Sequence, residues 1–247
     1  MTNTIRGLVD AGGCAGVSTK NEWRFVFNLA AWREFDVLTI GNRRCELPVE
    51  KSEVHELMAR VRAYDIVDLE IDPSVTGRVT KVTRLLAAGL NDPELENIAS
   101  ALRKPITATH PLLGLLEYQR EYGRYVGRVQ WQGRQIDIAL FTSDPTSTEP
   151  VFQRATRVFT AQRDWSERLR HCIADKLLPL KNGTWLEEDE TAYTEGGLLE
   201  RITLQSIHFG ESGRITFWHA DDDLFAGHDI EVRADEERGV TEVGLAG

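Results

Sequence analysis

The sequence predicts an α+β protein in which a small β-barrel-like unit precedes an antiparallel sheet packed with one long helix. Apolar and polar residues alternate at period two in several short segments near both ends of the chain, as in half-buried strands. Between two groups of such segments, apolar residues recur at three- and four-residue steps from 152 to 177, which is typical of a helix. We therefore expect a mostly β unit over residues 1–90, a linking helix over 91–104 and an α+β unit over 105–247.

The first unit is expected to be a small barrel. Residues 23–29 place aromatic and aliphatic side chains on one face and Arg24 and Asn28 on the other. Further strand signals and one helix starting near Ser52 complete the unit, in the manner of OB or SH3-like folds. These strand signals are at 37–40, 67–71 and 79–87.

The linking helix has clear start and stop signals. Asp92 offers a capping carboxylate, Pro93 suits the first turn, and Glu94 places an acid near the positive end of the helix dipole. The pair Lys104-Pro105 predicts where the helix stops.

The second unit is predicted to run strands, helix, strands. The helix should end where Pro179 and then Asn182-Gly183 interrupt the apolar pattern, and Cys172 lies on its apolar face. We expect Phe152, Phe159, Trp165, Leu169 and Ile173 to be buried against the sheet. The predicted strands are 113–120, 122–131 and 134–141 before the helix, and 201–209, 213–219, 228–233 and 240–245 after it.

The charge of the chain is uneven. The net charge is −10, and residues 183–247 hold 4 basic and 16 acidic residues, whereas residues 1–182 hold 25 and 23. An acidic surface repels phosphate backbones and favours cationic partners. We therefore expect a basic protein partner and do not expect nucleic acid to bind.

Other features limit the class of protein. No apolar run approaches the roughly 20 residues needed to cross a bilayer, and the start of the chain lacks the pattern of a secretion signal, so we expect no membrane association and a cytoplasmic location. The three cysteines, Cys14, Cys45 and Cys172, are widely spaced and predict neither a disulfide framework nor a zinc site. No cofactor is indicated. The glycine-rich segment 7–16 lacks the Lys of a phosphate-binding loop and is interpreted as a flexible N-terminal arm.

The candidate site is the run from Asp221 to His228. It contains Asp221, Asp222, Asp223 and His228, with His219 nearby. Carboxylate oxygens and imidazole nitrogens are the usual ligands of Mg²⁺, Mn²⁺ and Zn²⁺, so this run could form a metal site.

The same run also fits a purely structural turn. In that interpretation Asp222 and Asp223 accept hydrogen bonds from turn amides, Gly227 supplies a positive φ, and a backbone carbonyl holds His228. Asp and Gly are the common residues of turns, which favours this interpretation. Elsewhere, Ser206 and His208 share a strand face, but no third triad member or glycine elbow accompanies them.

Four segments together resemble a bacterial family, domain-of-unknown-function family number twenty-two sixty-two. They are Pro-Leu-Leu-Gly at 111–114, Gly-Arg-Val-Gln-Trp-Gln-Gly at 127–133, Leu-Leu-Pro-Leu-Lys-Asn-Gly-Thr-Trp at 177–185 and Asp-Asp-Leu-Phe-Ala-Gly-His-Asp-Ile-Glu-Val at 222–232. The resemblance covers about residues 105–247. It implies a bacterial cytosolic protein and a shared fold, and it implies no activity.

Two functions from different classes follow from these observations. The first is a non-catalytic protein-binding module that uses an acidic C-terminal face, for example an immunity or inhibitor protein against a basic toxin. The alternative is a metal-dependent hydrolase centred on the run from Asp221 to His228.

Overall fold

A computed structural model describes residues 3–19, 22–74 and 79–247. The chain forms two compact units. The first comprises Met1–Pro105 with Arg120–Tyr122, and the second comprises Ile106–Gln119 with Gly123–Gly247.

The first unit contains a closed barrel of five strands in the order β1-β2-β3-β5-β4. Every neighbouring pair is antiparallel except β3 and β5, which are parallel. Five strands with a helix between the third and the fourth correspond to the OB type among the barrels expected. The elements are β1 (Asn3–Thr19), β2 (Glu22–Glu34), β3 (Val37–Val49), α1 (Lys51–Arg60), β4 (Ile66–Ile71), β5 (Val79–Ala88) and α2 (Pro93–Leu102).

The glycine-rich segment 7–16 is part of β1, so its interpretation as a flexible arm is wrong. A Cβ on Gly7 would lie 2.6 Å from the Leu29 side chain, and one on Gly16 would collide with Val54. Between them, the pairing of β1 with β2 shifts register, and Gly13 has φ +64°. The glycines therefore serve close packing and a bulge, two roles that composition alone does not distinguish from flexibility.

Helix α2 begins as predicted, directly after Asp92. The Asp92 carboxylate accepts hydrogen bonds from the backbone N–H groups of Glu94 and Leu95, both at 3.2 Å. The apolar face of the helix packs on barrel residues rather than standing free. One buried cluster unites Leu8, Ala31, Ile66, Leu95 and Ala99.

The second unit is built on an eight-stranded sheet in the order β13-β12-β11-β10-β9-β8-β7-β6. Its neighbouring strands are antiparallel apart from β9 and β10, which pair in parallel. The strands are β6 (Thr107–His110), β7 (Gly114–Gln119), β8 (Arg124–Trp131), β9 (Arg134–Phe141), β10 (Thr203–Phe209), β11 (Arg214–Ala220), β12 (Asp229–Asp235) and β13 (Gly239–Ala246).

The connection from β9 to β10 carries three helices, α3 (Glu149–Thr160), α4 (Gln162–Thr184) and α5 (Glu195–Arg201). The segment predicted as one long helix is therefore two helices that meet at Ala161. The sequence pattern did not predict α5. Pro179 also does not end α4. An interior proline costs about 3 kcal/mol, and the buried side chains of Leu177 and Lys181 on either side of it oppose that cost. Within the described residues, no helix has both the length and the apolar character needed to span a membrane.

The helical side chains expected in the core are buried. Phe152, Phe159, Trp165, Leu169 and Ile173 all belong to the main cluster of the second unit. The Trp165 ring lies 5.5 Å from that of Phe217 on β11, which confirms that this helical face packs on the sheet. Cys172, by contrast, is only partly buried.

We expect Trp165→Ala to lower the free energy of unfolding by about 3 to 5 kcal/mol, because it removes a large buried ring and leaves a cavity. Trp165 is 6% exposed, whereas Leu115 in the same unit is 65% exposed, so Leu115→Ala is the matched control and should change stability by less than about 0.5 kcal/mol. Urea unfolding of both variants measures the difference. If Trp165→Ala and Leu115→Ala had equal free energies of unfolding, the assignment of Trp165 to the buried face of the helix would be wrong.

Candidate functional site

The run from Asp221 to His228 forms the turn between β11 and β12, and Asp221 organises it. The Asp221 carboxylate is buried and accepts hydrogen bonds from the backbone N–H of Asp223 at 3.1 Å and of Phe225 at 2.7 Å. The capping role expected of Asp222 and Asp223 therefore belongs to Asp221. Sequence position alone cannot indicate which of three consecutive carboxylates faces inward at a turn.

The other two aspartates are exposed and adopt left-handed backbone conformations, with φ 47° at Asp222 and 64° at Asp223. The Asp222 carboxylate accepts a hydrogen bond from Arg201 Nε at 2.8 Å, and its carbonyl accepts another from the same guanidinium. Aspartate tolerates this conformation better than most residues, which suits Asp222 and Asp223 to these positions. The positive φ expected at Gly227 is confirmed at 75°.

The two histidines of the run occupy different environments. His228 Nδ1 lies 2.6 Å from the carbonyl oxygen of Phe225, as the structural interpretation expects. His219 lies on β11, is 6% exposed, and has no hydrogen-bond partner for Nδ1. In the described part of the chain, no three His, Cys, Asp or Glu side chains are grouped so that they could hold a metal ion.

Burial lowers the pKa of His219 to about 4. The backbone groups of Ile230 and Phe217 favour the charged ring, but loss of solvation outweighs them. His219 is therefore a neutral imidazole at neutral pH.

The acidic connection after α4 lies beside this turn. The ring of Trp185 lies 5.9 Å from that of Phe225 and 5.5 Å from that of His228. Trp185 is thereby brought next to residues 40 and 43 positions further along the chain.

A chain of polar contacts fixes the same connection. Lys181 Nζ, almost fully buried, lies 2.6 Å from Glu190 Oε2, and this hydrogen bond is the main reason that the pKa of Glu190 falls to about 2. The Tyr193 hydroxyl donates to Glu190 Oε1 at 2.8 Å and accepts from Arg201 at 2.7 Å. Because Arg201 also binds Asp222, the contacts run unbroken from α4 to the turn.

Five carboxylates belong to the two segments that Trp185 brings together, and we call them the acidic face. All five are exposed, and none has a Lys, Arg or His within ion-pair distance among the residues the structure describes. They are Glu187, Glu188, Asp189, Asp223 and Asp229.

The pair Ser206 and His208 lies on the opposite face of the sheet from the helices, beside a depression of about 400 Å³. Trp218 Nε1 donates a hydrogen bond to His208 Nδ1 at 3.2 Å, so Nδ1 is unprotonated and the ring hydrogen is on Nε2. Nε2 is the atom near Ser206 Oγ, at 3.4 Å. A nitrogen that already carries hydrogen cannot accept the serine proton, so this pair has no activated nucleophile. The pKa of His208 is lowered by burial and by Arg124, which keeps the ring neutral.

A groove of about 950 Å³ on the barrel carries more acid than base. Its cations are Arg24 and Lys81, and Arg24 is paired with Glu22 and Glu46. Proteins that bind single-stranded nucleic acids do so through a positive groove, and the charge of this groove is of the opposite sign. The carboxylates are Glu22, Glu46, Glu50 and Glu53.

Residues 110–245 match the model of a family described as an uncharacterised protein conserved in bacteria, DUF2262. No curated protein and no solved structure matches the chain.

We expect Asp221→Ala to lower the free energy of unfolding by about 2 to 3 kcal/mol, because two backbone amides, one of them buried, lose their acceptor. Asp223→Asn keeps a residue that tolerates positive φ and removes only an exposed charge, so it should cost less than about 0.5 kcal/mol. Thermal and urea unfolding measure both.

Added Mg²⁺, Mn²⁺, Ca²⁺ or Zn²⁺ should leave the melting temperature unchanged. A saturable rise with one ion, abolished by Asp221→Ala, would instead support the metal-site interpretation.

We expect acid to destabilise the protein through His219. Its pKa is about 4 when folded and about 6.5 when unfolded, so below pH 6.5 the unfolded state binds a proton that the folded state does not. Stability is therefore lost between pH 6.5 and 4, by about 3 kcal/mol from this group. In His219→Gln the free energy of unfolding should fall by that much less over the same range. Identical pH profiles for the two proteins would show that His219 is solvated or charged in the folded state.

Proposed function

We propose that this chain, which belongs to the bacterial family DUF2262, is a non-catalytic protein-binding module whose acidic face binds a basic protein. An immunity or inhibitor protein directed against a basic toxin is the kind of function that this surface would suit. The observation that carries the proposal is the convergence of two acidic segments, 187–189 and 221–229, on one end of the second unit.

The backbone around the acidic face is fixed by contacts within the chain, without a partner. The Trp185 contacts and the hydrogen bonds through Glu190, Tyr193 and Arg201 fix the backbone on both sides of it. A surface that is already ordered loses less conformational entropy on binding, so more of the interaction energy is available as affinity.

The charges of the acidic face are also available. Its carboxylates are exposed and lack basic partners in the described chain, so a cationic partner would not have to displace internal ion pairs. Complementary charge at an exposed rim chiefly accelerates association and selects the partner, and salt weakens it.

The cytoplasm is the compartment that we propose. Cys14, Cys45 and Cys172 are all free thiols, and free thiols persist in a reducing environment. Burial raises the pKa of Cys45 to about 12, which keeps that thiol protonated and unreactive.

The proposal is tested by neutralising part of the acidic face. In the triple variant Glu187→Gln, Glu188→Gln, Asp189→Asn, three exposed ion pairs at roughly 0.5 kcal/mol each are lost, so partner affinity should fall about tenfold. The matched control Glu117→Gln, Glu149→Gln, Asp164→Asn changes net charge equally at exposed positions on β7, α3 and α4. Tagged full-length proteins are used to capture partners from a lysate of the source bacterium at low and high salt. Any captured protein is then purified and titrated against each variant.

Wild type and the control should capture the same basic protein at low salt and release it at high salt, and the triple variant should bind it weakly. Capture of an acidic protein, or equal affinity of the triple variant and wild type for the purified partner, would overturn the proposal.

A further inference from the structure

The second unit also contains a cavity that is separate from the acidic face. This cavity of about 270 Å³ lies between α4, α5 and the sheet. Its walls are mainly apolar and come from the interior of the unit. The apolar lining residues are Trp131, Ile136, Leu169, Ile173, Leu199 and Leu204.

His219 also lines this cavity. Within the described residues, His219 Nδ1 is the one buried side-chain nitrogen or oxygen without a hydrogen-bond partner. Buried polar groups in folded proteins are almost always paired, because leaving one unpaired costs free energy with no compensation. His219 is thus a polar side chain in the wall of a mainly apolar cavity, and its ring lacks one hydrogen bond.

Two arginines stand among the lining residues as well. Arg134 and Arg170 are exposed, and neither takes part in an ion pair in the part of the chain that is described. Arg134 pairs with Trp131 across the β8–β9 turn, and Arg170 follows Leu169 on α4, so both guanidinium groups belong to residues adjoining the apolar wall. Guanidinium groups recognise carboxylates through paired hydrogen bonds.

We propose that this cavity binds a small hydroxylated carboxylic acid with an apolar, preferably aromatic, body. The body fills the apolar space, the carboxylate binds Arg134 and Arg170, and the hydroxyl forms a hydrogen bond with the His219 ring. Sites for small molecules usually combine apolar walls with a few polar groups that fix the orientation of the ligand. The depressed pKa of His219 agrees with this role, since a neutral ring retains a nitrogen that can accept a hydroxyl hydrogen.

The experiment compares three probes on the full-length protein by calorimetry and by NMR of the histidine side chains. The probes are para-hydroxybenzoate, benzoate, which lacks the hydroxyl, and methyl para-hydroxybenzoate, which lacks the carboxylate charge. Para-hydroxybenzoate should bind at least fivefold more tightly than either of the others and should shift the His219 resonances. Because these comparisons use the wild-type protein, they do not depend on whether a His219 variant folds.

The double variant Arg134→Gln, Arg170→Gln should bind the acid no better than wild type binds the methyl ester. The control Arg128→Gln, Arg214→Gln removes two other exposed arginines of the same sheet and should bind as wild type does. Absence of binding by all three probes at millimolar concentration, unchanged binding by the first double variant, or shifts that spare His219 would each overturn the proposal. The result is independent of partner capture by the acidic face, so either proposal can fail alone.

Discussion

The parallel pairing of β9 with β10 is the constraint on which the rest of the second unit depends. Ser206 pairs with Asp137 and Phe209 with Leu140. Parallel neighbours cannot be joined by a hairpin, so the chain must leave the sheet and return across it. The whole of α3, α4, α5 and the acidic connection lies in that crossover. The acidic face and the cavity beside His219 are both built where this crossover meets the sheet, and a sheet made only of hairpins would have neither.

Much of the fold could be predicted because its strands and helical faces follow simple periodicity. The buried face of Phe152, Trp165 and Ile173 was recognisable at three- and four-residue spacing, and Asp92 was recognisable as a helix cap. The failures have a common physical origin in long-range packing. The close packing at Gly7 depends on Leu29, which is distant in sequence, and the continuation of α4 through Pro179 depends on the burial of Leu177 and Lys181 in the folded unit.

The candidate site was predicted less completely, because its chemistry depends on which way each side chain points. Three adjacent aspartates look equivalent in the sequence, yet Asp221 is buried and bonded to amides while Asp223 faces solvent. The charge imbalance near the end of the chain was visible from composition. The proximity of the acidic segments to one another could not be predicted from composition. It depends on the contact between Trp185 and Phe225 and on the hydrogen bond from Arg201 to Asp222. The cavity beside His219 gave no sequence signal, because its walls are ordinary core residues.

The sheet order also has a consequence for how the second unit assembles. Strands β6 to β9 form one antiparallel meander and β10 to β13 another, each made from neighbours in sequence. Contacts between sequence neighbours close small loops and form quickly, whereas the seam between β9 and β10 must close a loop of about 60 residues, at a higher cost in chain entropy. We therefore expect the two meanders to form before the pairing of β9 with β10 that joins them. Both proposed binding regions draw residues from the two sides of this seam or from the segment that spans it, so both require the pairing of β9 with β10.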